Sequence, residues 1–339
     1  MEGGVHKHPT LVLTVTEAIT FFLQDMLVKE GLRMSKKTLK VHLKTEWPLH
    51  LFLFPAVILL LIFSYFPMVG ILIAFQDYVP SKGWDLFFKS EWVGLDNFKY
   101  IMSMPGFWQA MRNTLVIAVQ KIAVNIIVPL VLALLLNEVK NRVFKKSVQT
   151  IIYIPYFFSW VILGGILMSI LSPTNGIINQ VIKSMGFKTI NFLGNLDTIQ
   201  PVFITTHIWK EVGYNTVIFL AALTSIDPSL YEAASVDGAG YFKQMTSITL
   251  PSLVPMILLV TILGMGNILN AGFDQVFNLY SPVVYENADI IDTFVYRIGM
   301  DQLQYSVSTA INLFKSVISI ILITSSFHLA KKYAGYQIF

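Results

Sequence analysis

The fold is decided by a short polar stretch, residues 231–251, which reads YEAASVDGAGYFKQMTSITLP. Just before it Pro228 follows Asp227, and proline suits the start of a helix because its missing N–H would have no intrahelical partner there. Glutamate and alanine are good helix formers, so the run EAA continues that helix. The run DGAG, residues 237–240, allows a sharp turn because glycine tolerates positive φ. The stretch therefore predicts a helix, a turn and a second short helix that leads to Pro251.

Apolar segments on both sides of this stretch are long enough to cross a membrane. A helix needs about 20 mostly apolar residues to span the hydrocarbon core. The chain is 55% hydrophobic and 13% charged, which is too apolar for a soluble protein. The segments are residues 49–75, 114–136, 148–171, 202–224, 252–271 and 309–329. We predict an all-α integral membrane protein of six transmembrane helices, in which the polar stretch joins the fourth to the fifth.

The distribution of basic residues predicts the orientation. Loops rich in Lys and Arg stay on the cytosolic side. Basic clusters precede the first segment, follow the second and follow the last, whereas residues 274–308 carry several acidic residues against the single Arg297. Both termini and the coupling loop, which we define as residues 226–251, are therefore predicted to be cytosolic. The charges of the coupling loop itself would not have placed it there.

Residues 1–46 form an N-terminal extension that we predict to be cytosolic. Its apolar part contains charged residues, and a charge at bilayer depth costs roughly 2.5–3.5 kcal/mol, so it is neither a good span nor a signal peptide. An amphipathic helix on the membrane surface stays open. Met34 would also make a sensible start, so it stays open whether residues 1–33 belong to the natural protein. Residues 47–339 are predicted to form one membrane domain.

The coupling loop also carries a spaced pattern: E-A-A, three residues, Gly, nine residues, I-x-L-P. The matching positions are Glu232, Ala233, Ala234, Gly238, Ile248, Leu250 and Pro251. This pattern resembles the loop signature of permeases from binding-protein-dependent ABC importers. The resemblance implies a type I ABC importer permease fold and a coupling helix that docks in a separate ATPase subunit, where Glu232 pairs with a basic residue. Asp237, beside the glycine, is counted with the coupling residues. In the alternative interpretation, Glu232 is only a solvated charge near a helix start and Gly238 is only a turn.

Other motifs extend the likeness over nearly all of residues 47–339. They resemble permeases that take up oligosaccharides from complex polysaccharides, and they are FPMVGILIAFQDY at 66–78, WVGLDNF at 92–98, ALLLNE at 133–138, YIPYFFSWV at 153–161 and IWKEVG at 208–213. The resemblance implies a bacterial cytoplasmic membrane and four kinds of partner: a second homologous permease, two ATP-binding-cassette ATPase subunits, an extracytoplasmic solute-binding protein and the lipid bilayer.

The sequence contains no motif for chemistry of its own. No G-x-x-x-x-G-K-[ST] phosphate loop occurs, and the six histidines are scattered without metal-ligand spacing. We therefore expect a non-catalytic membrane subunit that binds no cofactor and no metal, with ATP and Mg used by the partner ATPase. The basic residues cluster beside apolar segments, so we expect no nucleic-acid partner.

Polar side chains within the apolar segments are candidates for a substrate pathway, because they are costly there unless they face a watery cavity. The candidates are Asn267, Asn270, Trp209, Lys210, Tyr214, Lys121, Asn125 and Lys315. Asn267 and Asn270 would share one helical face beside Gly264 and Gly266, which would permit close approach of another helix or a ligand. For each position ordinary packing or interhelical hydrogen bonding is the alternative, and His207 is interpreted as a packing residue. Whether the sugar is acidic, with lysines offsetting its carboxylates, or neutral stays open.

The sequence disfavours two other classes of function. An ion-coupled secondary transporter would need acidic residues within the spans, whereas nearly all Asp and Glu lie in loops. A membrane-embedded enzyme or scaffold would need a catalytic constellation that the sequence lacks. We therefore predict a permease that moves oligosaccharides by alternating access.

Overall fold

The computed structural model describes residues 47–79, 89–266 and 268–334. The predicted extension, residues 1–46, lies outside these residues, as does Asn267. The chain divides into two units, Met1–Val69 and Gly70–Phe339.

The first unit contains the beginning of a long apolar helix. Helix α1, Trp47–Leu60, continues through a π-helical turn, Leu61–Tyr65, into a 3₁₀ helix that begins at Phe66. Apolar residues occupy nearly every position, so the helix has no polar face, which is the pattern of a helix surrounded by lipid. Pro55 lies within α1, and transmembrane helices tolerate proline more readily than soluble ones do.

The second unit begins at Gly70, within that 3₁₀ helix, which ends at Phe75. Strand β1, Gln76–Asp77, pairs antiparallel with β2, Glu91–Trp92. The helices that follow are α2 Asp96–Ser103, α3 Phe107–Glu138, α4 Arg142–Tyr153, α5 Trp160–Ile170, α6 Ile177–Ser184, α7 Leu196–Thr224, α8 Pro228–Val236, α9 Tyr241–Gln244, α10 Leu250–Gly266, α11 Phe273–Leu279, α12 Tyr285–Ala288, α13 Ile291–Tyr296 and α14 Tyr305–Ala334.

Within the described residues, four helices are long and apolar enough to cross a membrane. They are Leu51–Phe75, Phe107–Glu138, Tyr241–Met265 and Tyr305–Ser326. Two bent pairs pass the same test together, Arg142–Phe157 with Trp160–Ile170 and Leu196–Thr224 with Pro228–Val236. The six predicted spans are reached when each bent pair counts as one span.

The prediction that residues 148–171 form a single helix is wrong. Its two helical parts, Arg142–Phe157 and Trp160–Ile170, meet at an angle of 104°. Phe158 between them is extended, with ψ of 139°, and the Ser159 hydroxyl then accepts a backbone hydrogen bond of 3.4 Å that starts α5. Serine favours this capping position over a helix interior, so the break has a local cause.

The fifth span also differs from its prediction. A continuous helical run, Tyr241–Met265, starts 11 residues earlier than the predicted span 252–271 and ends six residues earlier. Asn270 therefore lies in an irregular segment, and the prediction that it sits on one helical face with Asn267 is wrong. Gly264 faces α3, but a Cβ there would meet Ile122 at 3.4 Å, an ordinary van der Waals distance, so this packing does not require a glycine.

Two apolar clusters stack along α3 and α7. The first cluster contains Phe107 and Ile117 of α3, Phe203 of α7 and residues of α11 to α14. The second cluster joins the other ends of α3 and α7 to α10, and its members are Ala133, Leu136, Phe219, Leu220, Leu223 and Leu253. Between the clusters lies what we call the polar layer, formed by Lys121, Asn125, His207, Lys210 and Glu211.

Candidate functional site

The coupling loop forms the helix and the turn that its sequence predicts. Helix α8 starts at Pro228, and the Asp227 carboxylate caps it by accepting a hydrogen bond of 2.9 Å from the Ser229 N–H. These hydrogen bonds from Ser229 lower the pKa of the Asp227 carboxyl below its usual range. Aspartate is a favoured N-cap residue and proline a favoured first helical residue, so Asp227 and Pro228 each occupy a suitable position.

The turn after α8 is a Schellman motif centred on Gly238. The Ala239 N–H donates to the Ala234 carbonyl at 2.9 Å, and the Gly238 N–H donates to the Ser235 carbonyl at 3.1 Å. Gly238 has φ of +77°, a conformation that strains any residue with a Cβ. No atom lies within 4 Å of where that Cβ would be. The glycine is therefore required by backbone conformation and not by space.

The coupling loop is tied to the start of the fifth span. The hydroxyls of Tyr231 and Thr249 share a hydrogen bond of 2.9 Å, and the Gln244 amide donates to the Ser235 hydroxyl at 2.9 Å and to the Ala239 carbonyl at 3.0 Å. A cavity of about 240 Å³ separates this region from the end of α3. The predicted second short helix is continuous with the fifth span through a π-helical turn, Met245–Thr249.

The other side of the coupling loop is uncovered. Helix α8 buries none of its residues, and Val236 and Phe242 keep 88% and 74% of their surface exposed. Glu232 and Ala233 are exposed, as are Asp237 and Pro251, while Ala234, Ile248 and Leu250 are half-buried. Exposed apolar side chains with a polar rim are typical of a surface that meets another protein.

A cavity beside the polar layer brings three of the predicted pathway residues together. Lys121, Asn125 and Asn270 line a cavity of about 180 Å³ between α3, α7 and the segment after α10. The Lys121 Nζ donates to the Ala271 carbonyl at 2.5 Å. Asn125 Nδ2 and His207 Nε2 share a hydrogen bond of 2.8 Å. His207 thus has a hydrogen-bond partner on the cavity wall, which agrees with its interpretation as a packing residue.

Lys210 and Tyr214 support the break in the third span. The Lys210 Nζ donates to the Tyr156 carbonyl at 2.7 Å and lies 5.0 Å from the centre of the Tyr156 ring. Tyr214 stacks on Tyr156 with 4.6 Å between ring centres and 6° between planes. A broken helix leaves carbonyls without intrahelical partners, and Lys210 satisfies one of them. Trp209 is 43% exposed and lines neither cavity.

Lys315 does not reach the cavity. It forms an ion pair with Asp292, in which each side chain is only 18% exposed. Asp289 is likewise paired, with Arg297. The acidic loop, residues 274–308, thus folds back on α14 and neutralises its lysine, and the pathway role of Lys315 stays a prediction. Sequence reasoning missed this pairing because it treated the acidic residues only as a signal of orientation.

Comparison with known proteins identifies the family. The sequence model of the binding-protein-dependent transport system inner membrane component matches residues 125–333. Protein LplB of Bacillus subtilis (strain 168) is 45% identical, over 86% of this chain and 91% of LplB. The polygalacturonan/rhamnogalacturonan transport system permease protein YteP of the same organism is 44% identical, over 88% of this chain and 92% of YteP.

Solved structures agree with the sequence comparisons. The crystal structure of a bacterial ABC transporter involved in the import of the acidic polysaccharide alginate matches with a TM-score of 0.80 and 35% identity, over 87% of this chain and 99% of that chain. A bacterial alginate ABC transporter in complex with an alginate pentasaccharide-bound periplasmic protein matches with a TM-score of 0.78 and 36% identity, over 86% of this chain and 96% of that chain.

These matches confirm the predicted helical permease fold, and they give no support to an ion-coupled secondary transporter. The matched family is a transport component and not an enzyme. The chain belongs to the family of inner-membrane permease components of binding-protein-dependent ABC importers.

Proposed function

We propose that this permease carries oligosaccharides derived from a polysaccharide into the cell, driven by separate ATPase subunits. The observation that carries the proposal is the coupling loop, in which the complete E-A-A…G…I-x-L-P spacing forms an uncovered helix followed by a Schellman turn. The substrate class is supported by similarity to a polygalacturonan/rhamnogalacturonan permease and to alginate importers.

The complete transporter contains a second homologous permease, two ATPase subunits and an extracytoplasmic solute-binding protein. ATP and Mg bind to the ATPases, and this chain holds no cofactor. Helix α8 docks on an ATPase subunit through its uncovered side, where Glu232 meets a basic residue and Val236 and Phe242 lose their exposure to water. Both termini and the coupling loop are cytosolic, and the chain crosses the lipid bilayer several times.

The fifth span connects the motor to the pathway. The helical run Tyr241–Met265 is 25 residues long, which at 1.5 Å per residue is roughly 37 Å. Its cytosolic end is tied to α8 by the Tyr231–Thr249 hydrogen bond, and the segment after its other end lines the 180 Å³ cavity. A displacement of α8 by the ATPases therefore moves the cavity wall, which is how ATP binding would alternate access.

The test is reconstitution of the complete transporter in proteoliposomes with a Glu232→Ala variant, a Gly238→Pro variant and an Asp197→Ala control. Asp197 is also an exposed acidic residue, near the start of α7. We expect Glu232→Ala and Gly238→Pro to reduce ATP-dependent oligosaccharide uptake and ATPase co-purification, and Asp197→Ala to do neither. Normal assembly and uptake in both loop variants would refute the coupling role.

A further inference from the structure

Two lysines and one carboxylate share the polar layer. Lys210 lies 3.9 Å from the Glu211 carboxylate. Lys121 itself has no acidic oxygen within 4 Å among the described residues. When both lysines are protonated the layer carries one positive charge more than it can balance. A buried amine disfavours its ammonium form unless an opposite charge lies nearby.

The Lys121 ammonium also has hydrogen bonds left to make. Lys121 is 5% exposed, and among the described residues its Nζ donates only to the Ala271 carbonyl, although an ammonium carries three donors. The space beside it exists because residue 272 is glycine, since a Cβ there would lie 2.7 Å from the Nζ. Unused donors on a buried group cost free energy, so the site is built to meet an acceptor.

An unused acceptor lies on the same cavity wall. Asn125 Oδ1 is buried and finds no hydrogen-bond partner in the part of the chain that the structure describes, while the Nδ2 of the same side chain is bonded to His207. The cavity therefore offers a cationic donor and a neutral acceptor together. A carboxylate would satisfy the first and a hydroxyl the second. Its volume of about 180 Å³ lies below the roughly 300–1,000 Å³ of pockets for drug-sized ligands, which suits a single sugar ring.

We infer that this cavity is a subsite for one uronate residue of an acidic oligosaccharide, with Lys121 binding the carboxylate and Asn125 Oδ1 accepting from a ring hydroxyl. The inference rests on the proposed function and names its substrate class. Lys210 and Lys315 do not share this role, because each is already committed to other groups of the protein.

The test uses the complete transporter in lipid nanodiscs, without its binding protein, so that the selectivity of that protein does not enter. Trigalacturonate and its trimethyl ester are titrated against the wild type, Lys121→Gln and Lys183→Gln. Glutamine keeps an N–H donor for Ala271 but carries no charge, and Lys183 is an exposed lysine at the end of α6. We expect the wild type and Lys183→Gln to prefer the acid, and Lys121→Gln to lose at least tenfold in affinity for the acid but not for the ester.

An Asn125→Asp variant provides a second arm that does not remove the lysine. It places a carboxylate beside Lys121 at constant side-chain size, so it should exclude trigalacturonate while raising the thermal stability of the complex. Absence of trigalacturonate binding to the wild type, unchanged affinity in Lys121→Gln or Asn125→Asp, or equal losses for acid and ester would each overturn the inference.

ATP-dependent uptake by the wild type separates this inference from the proposed function. If the wild type with its binding protein imports no oligosaccharide, the proposed function fails. If it imports trigalacturonate and Lys121→Gln does so at the same rate, only the uronate subsite fails.

Discussion

Gly213 of α7 packs so closely against α4 that a Cβ on residue 213 would overlap the backbone carbonyl oxygen of Ile152. The same Cβ would lie 2.7 Å from the Tyr153 Cα. Both obstacles are backbone atoms, so a side-chain rotation cannot relieve them. Gly213 thereby fixes the position of α4 immediately before the break in the third span.

Substitution of Gly213 by alanine should destabilise the protein. Overpacking of this kind typically costs about 1–3 kcal/mol, and we expect a lower midpoint of thermal unfolding in nanodiscs. Gly165→Ala in α5 is the matched control, since no atom lies within 4 Å of its added Cβ. An equal loss of stability in both variants would show that the cost comes from replacing a helical glycine in general and not from the contact with Ile152.

Two glycines in the coupling loop have room for a Cβ but differ in backbone conformation, so substitution of each by alanine isolates the effect of a positive φ. Gly238 has φ of +77° and Gly240 has φ of −70°, and neither has an atom within 4 Å of an added Cβ. Gly238→Ala should therefore cost about 1–2 kcal/mol through left-handed strain, whereas Gly240→Ala, which only replaces a favourable N-cap residue of α9, should cost less. Thermal unfolding and the number of ATP molecules hydrolysed per sugar imported give the measurement, and identical behaviour of the two variants would contradict it.

The hydrogen bond between Tyr231 and Thr249 can be measured by a double-mutant cycle. Tyr231→Phe and Thr249→Val each remove one hydroxyl of the 2.9 Å pair. We expect a coupling energy of about 0.5–1.5 kcal/mol, the usual net value of a hydrogen bond, together with weaker stimulation of the ATPase by the loaded binding protein. Additive effects of the two substitutions would mean that the bond does not link α8 to the fifth span.

The ion pair between Lys315 and Asp292 should behave as a partly buried pair. Lys315→Met leaves the Asp292 carboxylate unpaired, and we expect a loss of about 1–3 kcal/mol, less than for a fully buried pair because both side chains retain some exposure. Lys315→Met with Asp292→Asn should recover much of it. The exposed pair of Lys99 and Asp96 is the control, and Lys99→Met should change stability by less than about 1 kcal/mol. A loss in Lys99→Met equal to that in Lys315→Met would contradict the expectation.

The coupling loop could be predicted because its structure depends on local rules. The cap at Asp227, the proline at the first helical position and the glycine at the turn each depend on a few neighbouring residues. No comparable cap or turn motif marked the end of the fifth span. The break at Phe158 and Ser159 could not be predicted because the surrounding apolar composition suits a straight helix equally well. Serine and proline near that break were the available signals.

The partners of the buried lysines could not be predicted, because they are distant in sequence. Lys121 bonds to a carbonyl 150 residues away, and Lys210 bonds to one 54 residues away. The sequence alone indicates that a lysine within an apolar span costs free energy. It therefore groups Lys121, Lys210 and Lys315 as candidates for one role. Tertiary packing then gave each lysine a different role.

The apolar clusters on the two sides of the polar layer set the strength of the electrostatic interactions within it. Phe203 and Phe219, one from each cluster, are fully buried. Charges in surroundings of low polarity attract and repel one another more strongly than they do in water, so a change of charge at one residue of the layer acts strongly on the others.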